Sequence, residues 1–169
     1  LSFTKHPDSS DKTKPFVLFE KGTGTHNYQA QTGLLGADMP NHNTIFSAEK
    51  DMYELSNTAN DIEVHLNALN GKGIKVTKVI TFHKSSFLID VSYEIKNESA
   101  NSLNTSAYFQ LVRDGKEPAG AIRFVPTYAG GAVFTDKEKL QKIEFATIDK
   151  SKIDYPKEAD NGWIGFLQH

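Results

Sequence analysis

Glu63 and His65, in the triplet EVH, are the nearest this sequence comes to an acid/base pair. Two positions apart on a strand, they share one face, where a carboxylate and an imidazole can exchange a proton or hold a cation. Their neighbours Ile62, Val64 and Leu66 take the opposite face. That pattern makes the apolar row the core and puts Glu63 and His65 in solvent, and this is the reading adopted. The other histidines (His6, His26, His42, His83 and His169) are scattered, with no H-E-x-x-H and no conventional metal spacing. No cysteine is present, which removes thiol nucleophiles, disulfides and Cys-based zinc sites together.

The glycine motifs fare no better. GTGTHN, from Gly22, has the first two glycines of a dinucleotide fingerprint, but Asn27 stands where the third belongs and no parallel βαβ pattern surrounds it. NGKG and DGKE contain Gly-Lys without the loop and hydroxyl residue of a phosphate cradle, and read as hairpin tips. There is no G-x-S-x-G elbow. Two sequons, at Asn97 and Asn104, read as turn residues. Aromatic residues can stack on sugar rings, but Phe82, Phe87, Tyr93 and Phe109 fall on regular apolar parities and are expected in the core. The residues alone therefore assign no catalytic group, cofactor or metal.

The elements that would carry these residues are strands. In FLIDVSYEIKNES, Phe87, Ile89, Val91, Tyr93 and Ile95 alternate with Leu88, Asp90, Ser92, Glu94 and Lys96, the period of a half-buried strand with Val91 at the middle of its row. GIKVTKVITF before it puts Ile74, Val76, Ile80 and Phe82 on one parity, interrupted by Lys78, and HKSS suits the connecting hairpin. LNTSAYFQLV after it alternates Leu103, Thr105, Ala107, Phe109 and Leu111, which predicts a three-strand meander. DIEVHLNALNGKG adds a fourth strand, ending at an Asn70-Gly71 turn. PFVLFE, HNYQAQ, TIFSAE, AIRFVP, GAVFTD and QKIEFATI are shorter strand candidates. TDKEKLQKIEF is the best helix candidate, with a charged turn and strand as its alternative. The pattern predicts an all-β fold, a large antiparallel β-sandwich.

Length, 169 residues, suits one domain over 1–169 with a core that needs no staple. With 38% hydrophobic and 24% charged residues the chain should fold in water. A net charge of −2 and only two arginines exclude a basic nucleic-acid footprint. The amino terminus shows no apolar leader core, and no run approaches the roughly 20 residues of a membrane helix. The terminal GWIGFLQH, with the only tryptophan, looks like an element cut short. As a strand it puts Trp163, Gly165 and Leu167 on one face and Ile164 and Phe166 on the other, apolar on both sides and so central in a sandwich. As a helix it would lay Trp163, Phe166 and Leu167 on a membrane interface. The strand is preferred, because eight residues are marginal for such a helix.

KHPDSSDKTKPFVLFE, YQAQTGLLG, VSYEIKNES, FVPTYAGGAVFTDKEKLQKIEF and IDYPKEADNGWIGFLQH together resemble the large periplasmic domain of the bacterial YidC membrane-protein insertase family, in order along nearly the whole chain. The resemblance implies a β-supersandwich similar to galactose-mutarotase-like folds, incomplete at both ends and lacking flanking strands and all transmembrane segments. It implies a non-catalytic periplasmic part of an inner-membrane protein, a chaperone-like insertase. Its implied partners are Sec translocon accessory proteins and nascent membrane-protein segments met in a cleft. The strand edge and polar loops from Asn97 to Glu117, with Asn97, Asn101, Lys116 and Glu117, are the expected docking surface. The alternative is a carbohydrate-binding or mutarotase-like sandwich, which needs a His and carboxylate pair beside ring-stacking aromatics.

Overall fold

The computed structural model describes residues 1–8, 11–19, 27–70, 72–115, 128–150 and 158–168. They form an all-β fold of antiparallel sheets, in keeping with a β-sandwich. The chain divides into two compact units, Gln31–Gln110 and the pair Leu1–Ala30 with Leu111–His169. Strands β3 (Tyr28–Leu35) and β8 (Ser106–Arg113) pair with each other.

In the unit 31–110 a four-stranded sheet has the order β4 (Ser47–Ala48), β5 (Asp61–Asn70), β6 (Ile74–His83), β7 (Ile89–Asn97). Its registers set Ile62, Val64, Leu66 and Ala68 opposite Phe82, Ile80, Lys78 and Val76, and these opposite Ile89, Val91, Tyr93 and Ile95. One face is thus almost wholly apolar, as period-two alternation requires. Leu34 of β3 packs on it with Met39, Ile74 and Val76, joined by Tyr93 and Leu103. Val76 is 2% exposed, and burying such a side chain contributes roughly 1.5–3 kcal/mol. Lys78 interrupts the row without breaking it. Its ammonium lies over the Phe46 and Tyr93 rings at 4.7 and 5.5 Å and donates to the Thr32 carbonyl at 3.4 Å. Burial holds its pKa below the ordinary lysine value. The β5–β6 hairpin closes at Asn70 opposite Ile74, and Gly73 supplies the positive φ, +79°, that ends such a loop.

The other unit holds a hairpin, β1 (Ser2–Pro7) with β2 (Pro15–Val17), where Phe3 stacks on Phe16 at 6.2 Å. It also holds a sheet ordered β10 (Lys139–Ile143), β9 (Ala129–Thr135), β11 (Gly162–Gln168). The middle strand reads AGGAVFT, and Gly130, Gly131 and Ala132 are buried. Small residues are needed there because the Tyr128 ring lies against Gly130, and Ile148 of helix α1 (Phe145–Asp149) sits over Gly131.

Several expectations need correction. The three-strand meander is β5–β6–β7, since β8 pairs with β3 and not with β7. The eight residues between β7 and β8 exceed a tight hairpin, and Leu103 within them goes to the core while Thr105 Oγ1 donates to the Leu35 carbonyl at 2.7 Å. Phe87 precedes β7 and is 73% exposed, and Phe109 is 53% exposed. The alternation runs through Phe87 although β7 starts two residues later, and for Phe109 it located the strand but not which face meets another layer. Val91 is half-buried and Ile95 is exposed, so the apolar row of β7 is covered only in part. Val79 is buried on the face opposite to Val76, beside His65 in the register. TDKEKLQKIEF is a turn and the strand β10, with Lys139 at φ 58°; QKIEFATI ends in α1 rather than continuing as strand. The segment at Trp163 is a strand, as preferred, but it ends the described sheet order instead of lying at its centre. AIRFVP lies outside the described residues, as does most of GTGTHN.

Candidate functional site

The polar face of the four-stranded sheet carries the acid/base candidates. Glu63 Oε2 and His65 Nε2 lie 3.1 Å apart, both accessible to water. Two steps along, His83 lies between two carboxylates, Nδ1 facing Asp61 at 2.5 Å and Nε2 facing Asp90 at 2.7 Å. Only an imidazolium donates from both nitrogens. Hydrogen bonds to Asp90, and then to Asp61, accordingly raise the His83 pKa above its ordinary value. This spans three strands, β5, β6 and β7, and sequence spacing hid it because Asp61 and Asp90 lie 22 and 7 residues from His83. At the other end of the face Glu98 takes Lys96 at 2.8 Å and Lys75 at 2.9 Å, which brings its pKa down to about 2. Among the described residues no group of three or more His, Asp or Glu side chains is disposed to hold a metal ion.

A cleft of about 510 Å³ opens in the same unit, lined by Leu34, Leu35, Gly36, Met39, Asn41, His42, Tyr108 and Gln110. Tyr108 Oη accepts from the His42 backbone N–H at 3.1 Å and meets His42 Nδ1 at 2.5 Å. Gly33 makes room for this arrangement, because a Cβ there would come within 2.5 Å of Tyr108 Oη and 2.7 Å of Asn41 Cα. The cleft has apolar walls and polar hydrogen-bonding groups but no carboxylate in its lining. Glu63 and His65 bond to each other but neither lines this cleft, where His42 bonds to Tyr108, so the cleft lining does not hold the His and carboxylate pair of a mutarotase-like site.

Asn97 ends β7. Its Oδ1 accepts from Ser99 N and Oγ at 3.0 and 2.7 Å, and its Nδ2 donates to the Asn101 carbonyl at 2.8 Å. The side chain thus holds the loop in shape, an Asx turn, and leaves Asn101 exposed beside it. Lys116 and Glu117 lie outside the described residues. Trp163 stacks on Phe134 at 5.9 Å and is 50% exposed; Phe166 meets Phe145 at 5.7 Å on the other face, and Leu167 is opposite Gly130.

The family model of the YidC periplasmic domain matches residues 1–169. The chain belongs to this family. Among curated relatives, the membrane protein insertase YidC of Nitrosospira multiformis is 45% identical over 99% of this chain and 29% of its own length. Those of Nitrosomonas europaea and Aromatoleum aromaticum are 42% and 44% identical over 100% of this chain, covering 28% and 31% of their lengths. The chain therefore spans about three-tenths of the YidC relatives it matches. Among the described residues no helix is long and apolar enough to cross a membrane. The YidC resemblance read from the sequence is confirmed by the whole-chain match.

Proposed function

We propose that this chain is a non-catalytic accessory part of an inner-membrane protein insertase, acting on the periplasmic side by docking to Sec translocon accessory proteins. The match of the YidC periplasmic domain family to all of residues 1–169 carries this reading. The side chains agree with it in kind. The polar groups of the four-stranded sheet are spent on one another, as in His83 with its two aspartates, rather than aimed at a common reacting atom. The docking surface is the stretch from Asn97 to Glu117, where Asn97 holds the backbone and Asn101 stands exposed. The cleft beside His42 and Tyr108 suits an extended segment of a nascent membrane protein, since apolar walls take side chains and polar groups take backbone amides.

Photo-crosslinkers placed at Asn101 and Lys116 of the full-length insertase, in intact membranes, test the docking. Capture of a Sec accessory protein from both positions is expected. Capture only from positions on the three-stranded sheet would move the surface, and no capture from either would refute the docking.

A further inference from the structure

The outer edge of β7 closes the four-stranded sheet with no strand beside it among the described residues. Nine residues, IDVSYEIKN, form it without proline, glycine or a bulge in their register with β6. Edges of this length offer a row of unpaired backbone groups and are normally blocked. The charges that would block this one lie only on its polar face, at Asp90, Glu94 and Lys96, while Ile89, Val91, Tyr93 and Ile95 take the apolar face.

We infer that this edge pairs with the same edge of a second copy of the chain, antiparallel about a two-fold axis at Tyr93, extending the sheet from four strands to eight. Continuity of the apolar face across the junction requires opposed residues of like parity. In the register centred on Tyr93 all nine residues are opposed. Asp90 then faces Lys96 of the second copy, Val91 faces Ile95, and Ser92 faces Glu94, each pair occurring twice by symmetry. The neighbouring registers of like parity are repulsive: centring on Ser92 sets Asp90 against Glu94, and centring on Glu94 sets that residue against itself. The charge order of the strand therefore selects one register. Asp90 and Lys96 are engaged within their own chain by His83 and Glu98, but their side chains are 59% and 73% exposed, so they can exchange partners at little cost. Ile95, 38% exposed, is covered by Val91 of the second copy.

Sedimentation velocity of the 169-residue chain over a concentration series tests this, with circular dichroism confirming that each variant keeps its strand content. The unaltered chain should show a concentration-dependent dimer. K96D and D90K should each weaken it by on the order of tenfold or more, because each sets like charges opposite one another twice. An equimolar mixture of the two variants should recover the original dissociation constant, since both opposed pairs then regain opposite charges. A chain that stays monomeric at every concentration overturns the inference. So does a dimer that either variant leaves intact, or a mixture no tighter than the variants alone.

Discussion

The sheet β4–β5–β6–β7 and the sheet β10–β9–β11 are built from similar residues to different ends. In the first, one face is apolar, with Leu34 and Met39 packed on it at Ile74 and Val76, and the other is polar and knitted by ion pairs such as His83 with Asp61 and Asp90. In the second, both faces are apolar. Trp163, Phe134 and Leu140 share one, and Ile164, Phe166, Val133 and Ile143 the other, yet Trp163, Ile164 and Leu140 are 50, 56 and 49% exposed. An amphipathic sheet with one covering layer completes its own core. A sheet apolar on both faces is complete only when each face is covered. The first sheet should therefore carry the stability of its unit, and the second should respond to whatever covers it.

The largest expected effect is at Leu34. Leu34→Ala leaves a hole beneath Ile74 and Val76 and should cost about 2–5 kcal/mol. Trp163→Ala removes a larger side chain that is half in solvent, and should cost only about 1–2 kcal/mol, less than the usual loss for a fully buried aromatic. Denaturant midpoints rank the two, and a Trp163 change as costly as that at Leu34 would break the contrast. Because the chain has one tryptophan, fluorescence reads this site alone, and partial quenching by a soluble quencher is expected.

A smaller effect is tied to pH. The folded pKa of His83 lies above its ordinary value, so its contribution to stability is complete below about 6.5 and is lost as pH rises through the folded pKa. Asp90→Asn should lower that pKa, read from imidazole NMR shifts, and flatten the fall. An unchanged titration would show that the carboxylate does not hold the ring. Smallest of all, His65→Ala should stay within about 0.5 kcal/mol of the parent, because its bond to Glu63 is made in water. A larger loss would mean that the ring shields Val79, its cross-strand neighbour, from solvent.

The same contrast marks what was legible in the sequence. Alternation at Ile62–Ala68, Ile74–Phe82 and Ile89–Ile95 located three strands and their shared face, because successive side chains along a strand alternate between its faces whatever lies above them. The partner of β8 was not legible. Pairing with β3 depends on two segments about 75 residues apart meeting, and turn-rich polar residues between β7 and β8 look alike in a hairpin and in a crossing between layers. Phe109 is exposed for a related reason, since parity says which residues share a face and not whether that face is covered, whereas Phe87 shares the parity but lies before the strand begins. The faces of the terminal strand were read correctly, but its place at the end of the described order was not. Of the site candidates, the Glu63 and His65 pairing followed from spacing. The His83 cluster and the His42–Tyr108 contact needed the fold, since each joins residues from different elements.

Native-state hydrogen exchange tests the central contrast most directly, since it measures the opening free energy of each strand in one experiment. The amides of β6 around Val76 to Ile80 should exchange slowest, near the global unfolding limit, while those of β11 from Trp163 to Leu167 should exchange through a lower-energy opening. Equal protection of the two strands, or slower exchange in β11 than in β6, would contradict it.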